Sequence, residues 1–392
     1  MQRVLVIIPS LSAAAGAEQS AAAVLPHIMA EGVEVHLAVL STDVALLPGL
    51  INAGATFHDL SGLSFPRRVR AIRRLAKDLR PDLVHATLFE AELPSYLALL
   101  GTRVPMLVTW ASTPVEPSSE PVAAWKLHAV RVAQVALAHL PHVRFHAVTD
   151  GVAAAQCRWL GVRRDRVRVA ERGRNADEYP LALPQDREAA RRRLGLPAAA
   201  TVFLNVGRQE PPKGHVDLIR TFDSVAGELP SAVLLIAGRE GRSSAEVSAA
   251  HAASSHSDRI HLLGHRDDIA DLLRAADAIV CSSYREGAAG ALIEAMAVGT
   301  PIVSVRLDGL EGILEDGVNS RYVARLDLAA ALVDVANDPD SAATRALRAR
   351  ELFEERFTVR GSALRLLDVY RWASRRTHRT VAANGNSSEV GR

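Results

Sequence analysis

Two clusters in the second half of the chain carry residue types able to hold a ligand that is both anionic and rich in hydroxyls. The first is Glu286-Gly-Ala-Ala-Gly290-Ala291-Leu-Ile-Glu294, which follows Cys281-Ser-Ser and runs on toward Gly299-Thr-Pro. Carboxylates accept hydrogen bonds from hydroxyls, the small residues between them let backbone approach a ligand, and a helix start offers free N–H groups to phosphate. The second is Asn205-Val-Gly207-Arg208-Gln-Glu-Pro-Pro-Lys213-Gly214-His215. Its two cations, beside a strand end and a helix start, form a clamp for a diphosphate by charge and hydrogen bonding. They would take the place of a metal ion. Alone each cluster is ordinary, since carboxylates and arginines in loops are usually solvated. Together, on one edge of one expected sheet, they point to a phosphate-binding site.

That edge has to be built by parallel strands. Short apolar runs alternate with helical patterns, the signature of a parallel sheet covered on both faces. Strands are expected over 4–8, 33–40, 56–58, 83–86, 105–109, 145–149 and 167–170, and, after a polar, proline-bearing linker at 177–187, over 201–206, 232–237, 260–263, 278–281 and 301–305. Helical stretches at 342–357 and 361–377 come too late to belong simply to the second sheet. The last is expected to cross back to the first. Between the first strands, the segment 66–79 places Ile72, Leu75, Ala76 and Leu79 on one face and Arg67, Arg70, Arg74 and Lys77 on another. The basic face reads either as a solvated helix surface or as a surface that docks on anionic lipid.

Composition narrows the classes. A chain of 392 residues suits two α/β domains with a cleft between them. Its 46 basic and 44 acidic residues leave a net charge of +2, without the overall field a nucleic-acid binder needs, so anions have to be held locally. Cys157 and Cys281 are too far apart for metal-ligand spacing and point to a reducing, cytoplasmic compartment. The first residues resemble a secretion signal only until Pro9 interrupts the apolar run, and read as a first strand entering a glycine loop. Asp338-Pro339-Asp340 has the spacing of a metal-holding pair but falls between helices, where a capping role is expected. No essential divalent cation and no other cofactor is expected.

At these residues the chain resembles the retaining GT-B glycosyltransferases of family 4. The resemblance rests on the Gly-Arg and Lys-Gly pairs, Ala237-Gly238, the Gly264-His-Arg-Asp-Asp loop and the two carboxylates Glu286 and Glu294. In the first half it extends to Gly16-Ala-Glu18, Pro81-Asp-Leu-Val-His85 and the segment around Arg172-Gly173. It implies two Rossmann-like domains: 1–182 for the acceptor and 183–357 for a nucleotide-sugar donor, then a helix over 358–378 packing back on the first domain and a disordered tail over 379–392. It also implies roles. Arg208 and Lys213 would hold the donor diphosphate and stabilise its growing charge, Glu286 would bind hydroxyls of the transferred sugar, and Glu294 those of the ribose. Gly207, Gly290 and Ala291 would bring backbone to the phosphates, His265 and Arg266 would lie near the base, and Gly16 would approach the donor when the cleft closes. Glu18, His85, Trp110 and Arg172 are the candidates for the acceptor, a glycan, lipid-linked or small molecule.

The chain departs from the family pattern in three places. Trp110 stands in Val108-Thr-Trp110-Ala-Ser112, where a histidine reaching the donor sugar is common. Ala288 and Ala289 replace an aromatic or proline and a glycine, and Arg172-Gly173 replaces Asn-Gly, so Arg172 and Arg174 are candidates for an acceptor phosphate or for a plain surface role. Two other functions stay open at this point: a nucleotide-sugar epimerase, for which donor turnover without acceptor would speak, and a non-catalytic nucleotide-sugar-binding subunit. A nicotinamide-linked dehydrogenase is disfavoured because Ser10 to Gly16 lacks a G-x-G-x-x-G turn.

Overall fold

The computed structural model describes residues 1–12, 16–114 and 124–375, so the expected disordered tail lies outside the described residues. Seven strands form the first sheet: β1 (Arg3–Ile8), β2 (Glu34–Val39), β3 (Thr56–Asp59), β4 (Leu83–Thr87), β5 (Met106–Trp110), β6 (Val143–Ala147) and β7 (Val167–Val169). Six form the second: β8 (Thr201–Val206), β9 (Ala232–Ala237), β10 (Ile260–Gly264), β11 (Ala278–Cys281), β12 (Ile302–Val305) and β13 (Arg321–Val323). All pairings between these strands are parallel, in the orders β3-β2-β1-β4-β5-β6-β7 and β10-β9-β8-β11-β12-β13. In each sheet the chain reverses its direction of winding beside the first strand, between β1 and β4 and between β8 and β11. Loops diverge there and leave a crevice at the strand carboxyl ends.

Burial on both faces explains the uninterrupted apolar strands. In β1, Val4, Val6 and Ile8 pack with Leu25 and Ile28 of the helix Gly16–Ala30 and with Leu367 and Tyr370 of the last helix, Val359–Ser374, whereas Leu5 and Ile7 join the core on the other face. The alternation is the pleat of a strand with two apolar sides. The last helix therefore crosses back to the first sheet. Its Tyr370 hydroxyl meets His85 Nδ1 at 2.7 Å, and Glu171, just after β7, takes Arg356 at 2.6 Å and Arg365 at 3.3 Å.

The chain passes between the sheets twice, and the two passages are joined. Arg174 N donates to the Phe357 carbonyl at 2.8 Å and Val359 N to the Arg174 carbonyl at 3.1 Å. A Cβ on Gly173 would lie 2.5 Å from the Thr358 carbonyl oxygen, so a side chain there would force the passages apart. Glycines also seat the domains against each other: a Cβ on Gly287 would meet the Ala111 carbonyl oxygen at 1.9 Å, and one on Gly151 the Asp308 carbonyl oxygen at 1.5 Å. Two expectations need correction. The linker over 177–187 gives way to a helix, Pro184–Arg193, closed by Asp186 accepting from Leu183 N, because proline suits a first helical position. Strand β13 had no expected counterpart, being only three residues long. The capping role at Asp338 holds: its carboxylate accepts from Ser341 N at 3.0 Å.

Candidate active site

Lys213 ends a short turn, Pro211–Lys213, that is forced into the cleft by its neighbour. Gly214 has φ +67°, and a Cβ there would lie 2.3 Å from the Ser282 carbonyl oxygen, so only glycine lets the loop after β8 press against the loop after β11. The Ser282 hydroxyl secures that contact, donating to the Lys213 carbonyl at 3.1 Å. The Lys213 ammonium then reaches Glu286 Oε1 at 2.6 Å, and the Ser283 hydroxyl donates to the same oxygen at 2.6 Å. Burial alone would push the lysine pKa down. Attraction and hydrogen bonding to Glu286 outweigh it and hold the ammonium above the ordinary lysine range, so the group stays charged.

Lys213 and Glu286, whose side chains are 30% and 11% exposed, belong to the wall of an interdomain cleft of about 720 Å³. Among the described residues, eight lysine and arginine side chains line it against four carboxylates. In a chain with a net charge of only +2, that concentration marks a site for anions. Arg208 faces the same space, and among the described residues its nearest carboxylate oxygen, on Glu210, is 4.0 Å away. At the floor, a Cβ on Gly238 would lie 1.8 Å from the Gly207 carbonyl oxygen, which keeps the ends of β8 and β9 in close contact. Gly290 opens the helix Gly290–Val298 toward the cleft, and Ala291 follows it on the wall. His265 and Arg266 lie at the end of β10, where Arg266 Nε donates to Asp268 at 2.7 Å and His265 Nε2 sits 3.2 Å from Asp267. Gly16 comes from across the cleft.

Not every expected residue reaches this space. Trp110 is buried in the first core, stacked on Phe145 with ring centroids 4.2 Å apart, and leaves the cleft wall to Ala111 and Ser112. His85 is 4% exposed and both ring nitrogens are engaged, one by Tyr370 and the other by Thr109 at 2.6 Å, while Thr109 meets His146 at 2.9 Å. Burial, and secondarily His146, pushes the His85 pKa down to about 3, so the ring is neutral and structural. Glu18 is also buried, accepting from the Ser10 hydroxyl at 2.9 Å. Arg172 does face the cleft and has no hydrogen bond or ion pair among the described residues. Burial and the nearby Arg174 charge lower its pKa to about 10, which leaves it cationic at neutral pH.

Arg174 is neither a surface residue nor free for an acceptor phosphate. Its Nε donates to Glu294 Oε1 at 2.7 Å, with both side chains nearly nine-tenths buried. Ser283 and Gly287 were not singled out in the sequence. A serine beside a strand end and a glycine beside a carboxylate carry no signal until the loops are brought together.

With this geometry in place, comparison with known proteins decides the family. Residues 14–178 match the profile described as Glycosyltransferase Family 4, and residues 200–338 that described as Glycosyl transferases group 1. The chain belongs to glycosyltransferase family 4. Among curated relatives in the family, a D-inositol 3-phosphate glycosyltransferase of Thermobispora bispora is 33% identical over 236 residues, covering 57% of this chain and 54% of that protein. A D-inositol 3-phosphate glycosyltransferase 2 of Catenulispora acidiphila is 33% identical over 194 residues, covering 47% and 45%. The chain thus spans about half the length of the curated relatives it matches. Solved structures extend the likeness to the whole fold. HepE of Anabaena in complex with UDP superposes with a TM-score of 0.79 at 19% identity, over 95% of this chain and 100% of that one. The sucrose-phosphate synthase of Thermosynechococcus elongatus gives 0.77 at 20% identity, over 95% and 99%. The family's GT-B fold, two Rossmann-like domains facing across a cleft, is the fold found here. No helix among the described residues is long and apolar enough to cross a membrane.

Proposed function

We propose that this family 4 protein is a retaining glycosyltransferase that takes a sugar from a nucleotide diphosphate donor without an essential metal ion. The observation that carries the reading is the Lys213–Glu286 pair, set in a cleft where, among the described residues, cations outnumber carboxylates two to one. Lys213, Arg208 and the amides at Gly290 would face the diphosphate and offset the charge that builds on it as its bond to the sugar breaks. Glu286 would accept from hydroxyls of the transferred sugar, while Lys213 and Ser283 both donate to its Oε1. In the step itself the acceptor oxygen bonds to the anomeric carbon on the face from which the diphosphate departs. The departing phosphate oxygen takes the acceptor proton, so no separate protein base is needed. His265 and Arg266 would lie beside the base, and Glu294 beside the ribose.

The acceptor is proposed to carry a phosphate. The curated relatives are named for inositol 3-phosphate, and Arg172 supplies a half-buried cation on the cleft wall that, among the described residues, is in no ion pair. The basic helix Phe65–Leu79 is proposed to dock at an anionic membrane surface, the inner face for a cytoplasmic protein. A thermal-shift series over nucleotide diphosphate sugars tests the donor reading, since a ligand that binds only the folded state raises the apparent melting temperature. One donor is expected to shift the wild type and not Lys213→Ala. An undiminished shift in that variant, or activity abolished by chelation and restored by magnesium, would sink the metal-free clamp.

A further inference from the structure

The side chain of Arg174 does something that the diphosphate-donor reading does not use. It springs from the hinge, where its backbone pairs with residues 357–359 on the second passage between the domains. Its guanidinium then lies on the start of the helix Gly290–Val298: a Cβ placed on Gly290 would be 2.2 Å from Arg174 Nη2. A cation at a helix N-terminus is repelled by the exposed N–H groups, so something has to hold it there. Glu294, one turn further along, does so, accepting from Nε at 2.7 Å. On its other side Arg174 Nη1 donates to the Ser20 hydroxyl at 3.1 Å, and Ser20 donates to the Gly16 carbonyl at 2.7 Å. One line of hydrogen bonds thus runs from the carboxylate of the donor helix, through the hinge, to the first turn of the helix Gly16–Ala30 in the opposite domain.

We propose that Arg174 is a positioning residue for the nucleoside diphosphate: it neutralises and orients Glu294, leaving Oε2 of that carboxylate for the ribose, and ties the donor helix to the first turn of the helix that Gly16 opens. The inference rests on the diphosphate-donor reading. Without Arg174 a nearly buried negative charge would stand beside the phosphate site, where its repulsion is poorly screened. Charge removal therefore gives opposite signs at the two partners. Losing the cation hinders an anionic ligand, and losing the carboxylate helps it.

Inorganic pyrophosphate, which carries the diphosphate chemistry without a base, is the probe, titrated calorimetrically against the full chain. Arg174→Met is expected to weaken its binding about tenfold or more, and Glu294→Gln to tighten it. Arg174→Lys should keep part of the affinity, and the double variant Arg174→Met/Glu294→Gln should return to within about threefold of wild type, because the charge balance is restored. A purely structural role predicts the reverse for the double variant, which would bind no better than Arg174→Met. Should Arg174→Met fail to fold, the sign of the Glu294→Gln effect decides alone. Unchanged affinity in Arg174→Met, or weaker binding in Glu294→Gln, overturns the proposal. Lys213→Ala separates the two readings: if it loses pyrophosphate while the Arg174 and Glu294 variants do not change, the donor site stands and this inference falls. Failure of the wild type to bind pyrophosphate overturns both.

Discussion

At the scale of single residues, the site depends on one glycine as much as on its charges. Lys213 meets Glu286 because Gly214 occupies the left-handed region and lies against the Ser282 carbonyl, a place no side chain fits. For Gly214→Ala the left-handed backbone alone costs about 1 kcal/mol or more, and the collision with backbone adds to it. We expect a loss of at least about 2 kcal/mol in urea unfolding, together with loss of donor-induced thermal shift as Lys213 is displaced. A variant as stable as wild type would show that the loop has another way to fit. The same scale shows what a linear reading misses. Glu286, Lys213 and Arg208 could be recognised because their spacing relative to strand ends is local information. Arg174 could not, since its partner lies 120 positions away and its importance arises only when the hinge meets the donor helix.

At the scale of elements, the strands were legible because burial on both faces leaves continuous apolar runs, and the errors have local physical causes. The run at 145–149 continues past the end of β6 since Thr149 leaves the sheet to cap the next helix, accepting from Val152 N. Pro105 lacks an N–H to donate and stays outside β5, although its carbonyl still accepts from Val84 N. Trp110 is a site candidate because it stands where the family commonly carries a histidine, but the pleat turns it into the core. The docking of the last helix is expected from its late place in the order and from the family resemblance; what fixes it is the buried set of His85, Thr109, His146 and Tyr370. This set makes stability depend on pH. Burial lowers His85 to about 3 and His146 to about 4, and burial and Lys213 lower His215 to about 4. With folded values below the unfolded value of about 6.5, the unfolded chain binds more protons, so stability is complete above that pH and declines as pH falls toward 4. Glu92, raised to about 7 by burial and Glu90, acts in the opposite direction between about 4.5 and 7. The imidazoles outnumber it. The melting temperature should therefore drop between pH 6.5 and 4, and His146→Asn should make that drop shallower. An unchanged slope would mean that His146 is not neutral when buried.

At the scale of the whole molecule, charge is distributed very unevenly. From Ser64 through Arg80 there are seven cations and one carboxylate, more net positive charge than the entire chain carries, so the remainder is acidic. Among the described residues this helix has one ion pair, Arg74 with Asp78, which is long at 3.4 Å and exposed, worth little in water. Strand β3 ends at Asp59 and the helix begins at Phe65, which places the helix start on the carboxyl edge of the first sheet, the edge that also carries Gly16 and Ala111 into the cleft. Phe65 is 43% exposed there. A protein lying on this helix would sink an aromatic ring at the lipid boundary and bring the cleft mouth close to the surface, where a lipid-linked acceptor could enter. Each cation near an anionic surface contributes about 1 kcal/mol, so the charge-reversed Arg70→Glu/Arg74→Glu/Lys77→Glu should weaken vesicle binding by on the order of 100-fold or more. Co-sedimentation with vesicles containing an anionic phospholipid, against purely zwitterionic ones, reads this directly. The wild type should bind only the anionic vesicles and release them as salt rises. The variant should stay in solution with its donor-induced thermal shift intact, because none of the three residues borders the cleft. Binding that ignores lipid charge, or survives the reversal, would return the helix to an ordinary solvated face.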